Sequence, residues 1–244
     1  LMSVTQATTA PEPTSVTEQI DALVTRAQGA LRQFLELDQE QVDHIVKKAS
    51  VAALSQHGEL AVHAVRETGR GVFEDKAVKN IFACEHVTNS MLNLRTVGII
   101  NRDELTGITE IAEPVGVICG VTPVTNPTST AIFKALIALK TRNPIVFGFH
   151  PSAQGCSVAA AKAVKDAAVA AGAPADCIQW VEHPSLEATS TLMNHSGVAL
   201  ILATGGNAMV RAAYSCGKPA LGVGAGNVPA FIERSAKLRP STTG

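Results

Sequence analysis

Three short stretches carry residues able to do chemistry. In GVTPVTNP, residues 120–127, one glycine and two prolines break regular structure, while Thr122, Thr125 and Asn126 leave hydroxyl and amide groups free for a ligand. The apolar, β-branched run Val115–Cys119 before it reads as a buried strand. From Thr128 the pattern turns helical, with Ile132, Leu136 and Leu139 on one stripe and Thr128 or Ser129 available as N-cap. The first-turn N–H groups then point back at the loop, where an anion or a developing oxyanion would be stabilised. A strand-to-helix connection without a ligand fits the same spacing.

The second stretch is ATGGN, residues 203–207, between an apolar strand and a helix. Gly205 and Gly206 remove the side chains that would keep a phosphate or ribose from the backbone. It is not G-x-G-x-x-G, and alone it is a weak pattern. The third is GVGAGN, residues 222–227, centred on Gly224, which fits either a site lining or a flexible crossover. Strand 144–149 ends in FGFHP with no Asp or Glu to grip ribose hydroxyls, which disfavours an ordinary Rossmann dehydrogenase.

These loops need a scaffold that brings them together. From Val115 the chain alternates: strands 115–119, 144–149, 177–181, 198–203 and 219–223, with helices 129–140, 153–171, 185–194 and 207–215 between them. Repeated βα units with short Gly/Pro links predict an α/β fold with a parallel, doubly wound sheet, which binds ligands beyond the carboxyl ends of its strands. The preceding part is helical. Ser15-Val-Thr-Glu18 is a capping box; a second helix starts near Asp38, a third stops at Gly69 or Gly71, and a fourth spans Phe73–Leu94. His44, His57, His63 and His86 are too scattered for a ligand set, so no catalytic cluster is expected there. Strands 96–100 and 108–112, joined by NRDELTG, form a hairpin whose open edge is expected to pair with a partner subunit.

Composition narrows the classes. Of 244 residues 46% are hydrophobic but only 4% aromatic, which suits helices laid closely on a parallel sheet. A net charge of −1 without blocks of like charge argues against nucleic acid or an anionic membrane as partner. Cys84, Cys119, Cys156, Cys177 and Cys216 are widely spread, with no C-x-x-C, so neither a disulfide framework nor a zinc site is expected and reduced cytoplasmic thiols fit better. Cys119 reads as an inert core thiol, the other four as helix or helix-edge thiols without a neighbouring base. No signal peptide and no membrane span is read.

EPVGVICGVTPVTNPTSTAIFKALIALKTRN, ILATGG and AAYSCGKPALGVGAGN together resemble the CoA-acylating aldehyde dehydrogenase module of the bacterial bifunctional aldehyde–alcohol dehydrogenases. The similarity runs from DQEQVD through EDKAVKN to about Ile232. The resemblance implies an aldehyde dehydrogenase-like fold. It also implies reversible, fermentative oxidation of acetaldehyde to acetyl-CoA through a cysteine thioester, with NAD as cofactor and coenzyme A as co-substrate, in a cytoplasmic homo-oligomer. Carried onto this sequence, the oxyanion-hole amide falls on Asn126, and the cofactor contacts fall on Val121, Thr122, Pro123, Val124, Thr125, Asn126, Gly205, Gly206 and Gly224. The glutamate base of the wider superfamily falls on Val223, which fits acyl transfer to a thiol rather than to water.

Two departures follow. Where the family reads F-S-P-H-P-R this chain has FGFHPS. The family nucleophile lies beyond GVGAGN, and none of the five cysteines aligns with it. The expected division is a tail at 1–14, a helical segment at 15–95, an oligomerisation hairpin at 96–112, a dinucleotide-binding domain at 113–226, and a truncated start of a catalytic domain at 227–244. Such a fragment is expected to be inactive by itself, and a non-catalytic nucleotide-binding or assembly role remains the alternative. Aldehyde chain length and NAD against NADP preference are not legible.

Overall fold

The structure, a computed structural model, describes residues 15–226, 229 and 231–235. The expected tail, 1–14, and most of the expected catalytic-domain start lie outside the described residues.

Helix α1 (Val16–Phe34) begins at the capping box: Ser15 Oγ accepts the Glu18 N–H at 3.2 Å and the Glu18 carboxylate accepts the Ser15 N–H at 2.9 Å. Asp38 and Gln41 make the same reciprocal cap on α2 (Gln39–Ser55). Helix α3 (His57–Thr68) stops at Gly69, whose φ of 63° is the left-handed geometry glycine adopts freely. The helix expected over 73–94 runs without a break over 73–91, as α4 (Phe73–Ile81), a wide π-turn at Phe82–His86, and α5 (Val87–Met91). Side-chain spacing does not report such a turn; here it sits where the buried Ser50 hydroxyl donates to the Cys84 carbonyl at 2.8 Å.

Strands β1 (Gly98–Asp103) and β2 (Ile108–Ala112) form the expected antiparallel hairpin, as a two-stranded sheet of its own, with the first strand shifted later so that Asn101, Arg102 and Asp103 of the expected loop pair with β2. Asp103 closes its turn, accepting the Leu105 N–H at 2.9 Å and the Thr106 hydroxyl at 2.7 Å, which holds its carboxyl below the usual range. Ile99, Ile108 and Ile111 are exposed.

The main sheet holds β3 (Val117–Val121), β4 (Ile145–Gly148), β5 (Ile178–Trp180), β6 (Val198–Thr204) and β7 (Ala220–Val223), all parallel in the order β5-β4-β3-β6-β7. Side chains alternate across a strand, so Val117, Cys119 and Val121 face one layer and Ile118 the other. The first layer packs on Ile20 and Val24 of α1 and Leu192 of α8 (Leu186–Asn194). The second packs on Leu136 of α6 (Pro127–Lys140) and Val164 of α7 (Gln154–Ala170), with Ile45 of α2 behind those helices in the same core. With helices on both faces the strands are mostly apolar, Gln179 of β5 and Thr204 of β6 being the exceptions. Helix α9 (Asn207–Ser215) joins β6 to β7.

Two local expectations are corrected. β3 lies two residues later than expected, because Gly116, with φ of 125° and its N–H held by the Asn143 side chain at 3.0 Å, keeps the chain out of the sheet until Val117. Gly120 is therefore a strand residue, and a Cβ there would come within 2.8 Å of the Phe147 ring. Helix α6 is buried nearly all round rather than along one stripe, since α2 and α7 cover its outer side.

Candidate functional site

The strand order turns back between β3 and β6: the chain moves from β3 outward to β4 and β5, then returns to β6 on the other side. At such a switch point the loops leave in opposite directions and open a crevice. Here the turns after β3, β4, β6 and β7 surround a cavity of about 950 Å³. Val121 to Asn126, Gly205, Gly206 and Gly224, far apart in sequence, all line it.

The turn after β3 is built differently from its sequence reading. Helix α6 starts at Pro127, and Asn126 takes the N-cap position without its side chain capping the helix. Proline suits the first helical position, where its missing N–H removes nothing and its φ is already helical. Thr128 is buried and turned away; its hydroxyl donates to Asn80 Oδ1 at 2.8 Å. Neither Thr128 nor Ser129 is the cap. The Thr122 hydroxyl is buried and has no hydrogen-bond partner among the described residues.

Three lysines support this turn, and sequence reasoning missed all three. Lys134 of α6, 2% exposed, donates to the carbonyls of Val121 at 2.6 Å and Leu202 at 2.7 Å, tying β3 to β6 beneath the crevice. Burial pushes its ammonium down to about 7. Lys76 of α4 donates to the Thr125 carbonyl at 2.8 Å, and burial, then the nearby Lys79 charge, hold it below the usual lysine range. Lys79 donates to Asn126 Oδ1 at 2.9 Å. The helical segment is thus not without functional groups. The spacing of Lys76 and Lys79 in EDKAVKN, three apart on one helix face, was the available signal.

At the β6 turn, a Cβ added to Gly206 would meet nothing within 4 Å, so this backbone lies open to the cavity. At the glycine-rich end of β7 Gly222 is packed against α9, whereas Val223 to Gly226 are exposed. A Cβ on Gly222 would lie 2.8 Å from Tyr214 and Val210 of α9, and one on Gly224 2.9 Å from Asn207 Oδ1. Val223 lines the cavity, and no Asp, Glu or Cys does so among the described residues.

The β4 turn, FGFHPS, becomes a 3₁₀ turn at Pro151–Ala153 in which His150 Nδ1 accepts the Ser152 N–H at 3.1 Å. The N-terminus of α7 beyond it already has an anion. Glu67 of α3 accepts the N–H groups of Gly155 at 2.8 Å and Cys156 at 2.6 Å; burial opposes its charge, but these bonds hold its carboxyl below the usual range. Cys156 therefore has a carboxylate neighbour, contrary to expectation. Burial and then that carboxylate push its thiol up to about 12, so Glu67 does not activate it. Burial likewise pushes Cys84, Cys119 and Cys177 up to about 12. Cys177 stands at the start of β5 rather than in a helix. No group of three or more metal-ligating side chains occurs among the described residues, and none of their helices is long and apolar enough to cross a membrane.

Comparison with known proteins was consistent with this geometry. The Aldehyde dehydrogenase family matches residues 2–239. The chain is 69% identical over 227 residues to aldehyde-alcohol dehydrogenase 2 of Entamoeba histolytica, covering 92% of this chain and 26% of the relative. Among solved structures it superposes on an acetylating aldehyde dehydrogenase from Geobacillus thermoglucosidasius with a TM-score of 0.86 and 48% identity, over 91% of this chain and 49% of that one. A propionaldehyde dehydrogenase from Rhodopseudomonas palustris, solved with bound CoA and an acylated cysteine, gives 0.74 and 34% over 85% and 47%. The chain spans about a quarter of the length of the aldehyde–alcohol dehydrogenase relatives it matches.

Proposed function

The chain belongs to the aldehyde dehydrogenase family, and from that premise we propose that it is the nucleotide-binding segment of a CoA-acylating acetaldehyde dehydrogenase of the aldehyde–alcohol dehydrogenase kind. The observation that carries the reading is the Asn126 amide at the rim of a cavity that no carboxylate lines among the described residues. An amide donor without a neighbouring base suits an acyl transfer in which water is not the acceptor.

The residues present fit a nicotinamide nucleotide. The open backbone at Gly206 leaves room for a close approach, the N-termini of α6 and α9 favour phosphate charge, and the Thr122 hydroxyl lacks a partner. We assign its contacts to Val121–Asn126, Gly205, Gly206 and Gly224, with NAD as the form bound. When bound, that cofactor supplies the hydride acceptor. The chain's own contribution is to hold it against the β3 and β6 turns and to present Asn126 Nδ2 to the oxygen of the aldehyde–thiol adduct. Charge grows on that oxygen as the thiol adds, and a preorganised N–H then binds it more strongly than it binds the free carbonyl. With Val223 where a water-activating carboxylate would stand, the acyl group passes to the thiol of coenzyme A.

No thiol lines the cavity among the described residues, and four of the five cysteines are held protonated. The acyl-carrying cysteine therefore comes from another part of the complete enzyme, and this chain by itself binds cofactor without turning over. Assembly as a cytoplasmic homo-oligomer through the hairpin completes the proposal. Titration of the 244-residue chain with NADH, followed by cofactor fluorescence, tests it. Saturable binding is expected; its absence in a folded preparation rejects the nucleotide role.

A further inference from the structure

Asn126 occupies the N-cap position of α6, where an asparagine side chain ordinarily folds back to accept an N–H from the second or third helical residue. Here it does not. Its Oδ1 is instead held at 2.9 Å by the Lys79 ammonium, which reaches across from α4, 47 residues earlier in the sequence. An ammonium has donors and no acceptor. Only one of the two amide orientations is therefore compatible with it, the one that puts Oδ1 against Lys79 and turns Nδ2 the other way. Nδ2 has only a contact at the limit of hydrogen bonding, 3.5 Å to Thr125 Oγ1, so its N–H groups are available to a ligand oxygen. Lys76, one helical turn earlier, holds the backbone of the same loop through the Thr125 carbonyl.

We propose that Lys79 is the positioning residue of the Asn126 donor: it withdraws the amide oxygen from helix capping and fixes the flip that presents Nδ2 to the cavity. The ammonium also draws electron density through the amide, making its N–H a stronger donor. This inference rests on the oxyanion role proposed above. Without Lys79 the side chain has a competing well-populated state, with Oδ1 accepting from the first turn of α6 and the N–H groups carried away from the cavity.

The test uses the uniformly ¹⁵N-labelled 244-residue chain, with the Asn126 side-chain amide pair assigned by its disappearance in Asn126→Asp. Lys79→Met keeps the stem and removes the donor; Lys79→Arg keeps a donor-only cation. In Lys79→Met the Asn126 amide pair is expected to shift, together with the backbone N–H of Thr128 or Ser129 as it gains a cap, and Lys79→Arg is expected to return both to their original positions. NADH affinity is measured on the same samples, so that a general loss of the turn, which would abolish binding in Lys79→Met, is distinguished from reorientation of the one amide. Unchanged Asn126 resonances in Lys79→Met, or a shift that Lys79→Arg does not reverse, overturns the positioning role. Failure of the unmutated chain to bind NADH would instead reject the functional reading and leave the orientation measurement standing.

Discussion

Lys134 offers the sharpest test of the electrostatics beneath the crevice. Burial brings its ammonium to about 7, against an ordinary value of 10.5 in the unfolded chain. Between those values the unfolded chain keeps a proton that the folded chain has released, so stability increases with pH, by about 1.4 kcal/mol per unit at most. The cost of burying the charge is fully present below pH 7 and is relieved as pH rises. Four buried thiols act in the opposite sense. Pushed up from 9.0 to about 12, Cys84, Cys119, Cys156 and Cys177 contribute stability that is present below pH 9 and lost above it. The window for Lys134 is therefore pH 7 to 9, and the gain across it is of order 2 kcal/mol. Urea unfolding followed by circular dichroism at constant ionic strength measures it, with the denaturant slope checked for constancy. Most of the rise should be lost in Lys134→Met, whatever that variant's absolute stability; what remains belongs to Lys76, whose ammonium burial lowers in the same sense. A flat curve in the unmutated chain would mean that the Val121 and Leu202 carbonyls, at 2.6 and 2.7 Å, hold the ammonium charged against the effect of burial. That outcome, or a rise of undiminished size in Lys134→Met, refutes the argument.

Gly206→Val should leave the melting temperature nearly unchanged, since the added Cβ meets open space, while weakening NADH binding about tenfold or more (~1.4 kcal/mol) in a fluorescence titration. In the complete acylating enzyme, Asn126→Ala should slow single-turnover chemistry about a hundredfold (~3 kcal/mol), much more than it weakens cofactor binding; normal chemistry with a lowered melting temperature would make Asn126 a loop residue only. The hairpin exposes Ile99, Ile108 and Ile111 beside unpaired strand edges, so the chain should sediment heavier than its 25.4 kDa in the micromolar range. Ile111→Lys should shift it toward monomer, and a unmutated chain that is already monomeric counts against association there.

The turns that line the cavity were legible because their chemistry is local. Thr122, Thr125 and Asn126 between a β-branched run and a helical stripe, and paired glycines between a strand and a helix, each state their geometry within a few residues. The five parallel strands were legible for the same reason, with ends off by one or two positions. What escaped depends on partners distant in sequence. Lys79 and Asn126 meet across 47 residues, Glu67 and Cys156 across 89, and neither pairing leaves a mark in either segment alone. Lys134 escaped because a lysine in an apolar helix normally marks the solvent side, and only the packing of α2 and α7 around α6 shows that this helix has almost none. The start of α6 was misplaced because two hydroxyl residues looked like caps, whereas proline at the first helical position decided it.

The way α1 meets the sheet, and α2 the helices laid over it, limits how this sequence can be recombined. Ile20 and Val24 pack on one face of the strands, and Ile45 and Val46 pack with α6 and α7, which cover the other, so the helical segment shares both of the sheet's cores. A crossover placed near residue 113, where the change from helices to strands invites a domain boundary, would set one parent's α1 and α2 against another parent's strands and covering helices in both cores at once. Exchanging the turns that line the cavity between relatives therefore requires the inherited block to begin at Ser15, or the swap to be confined to the loops.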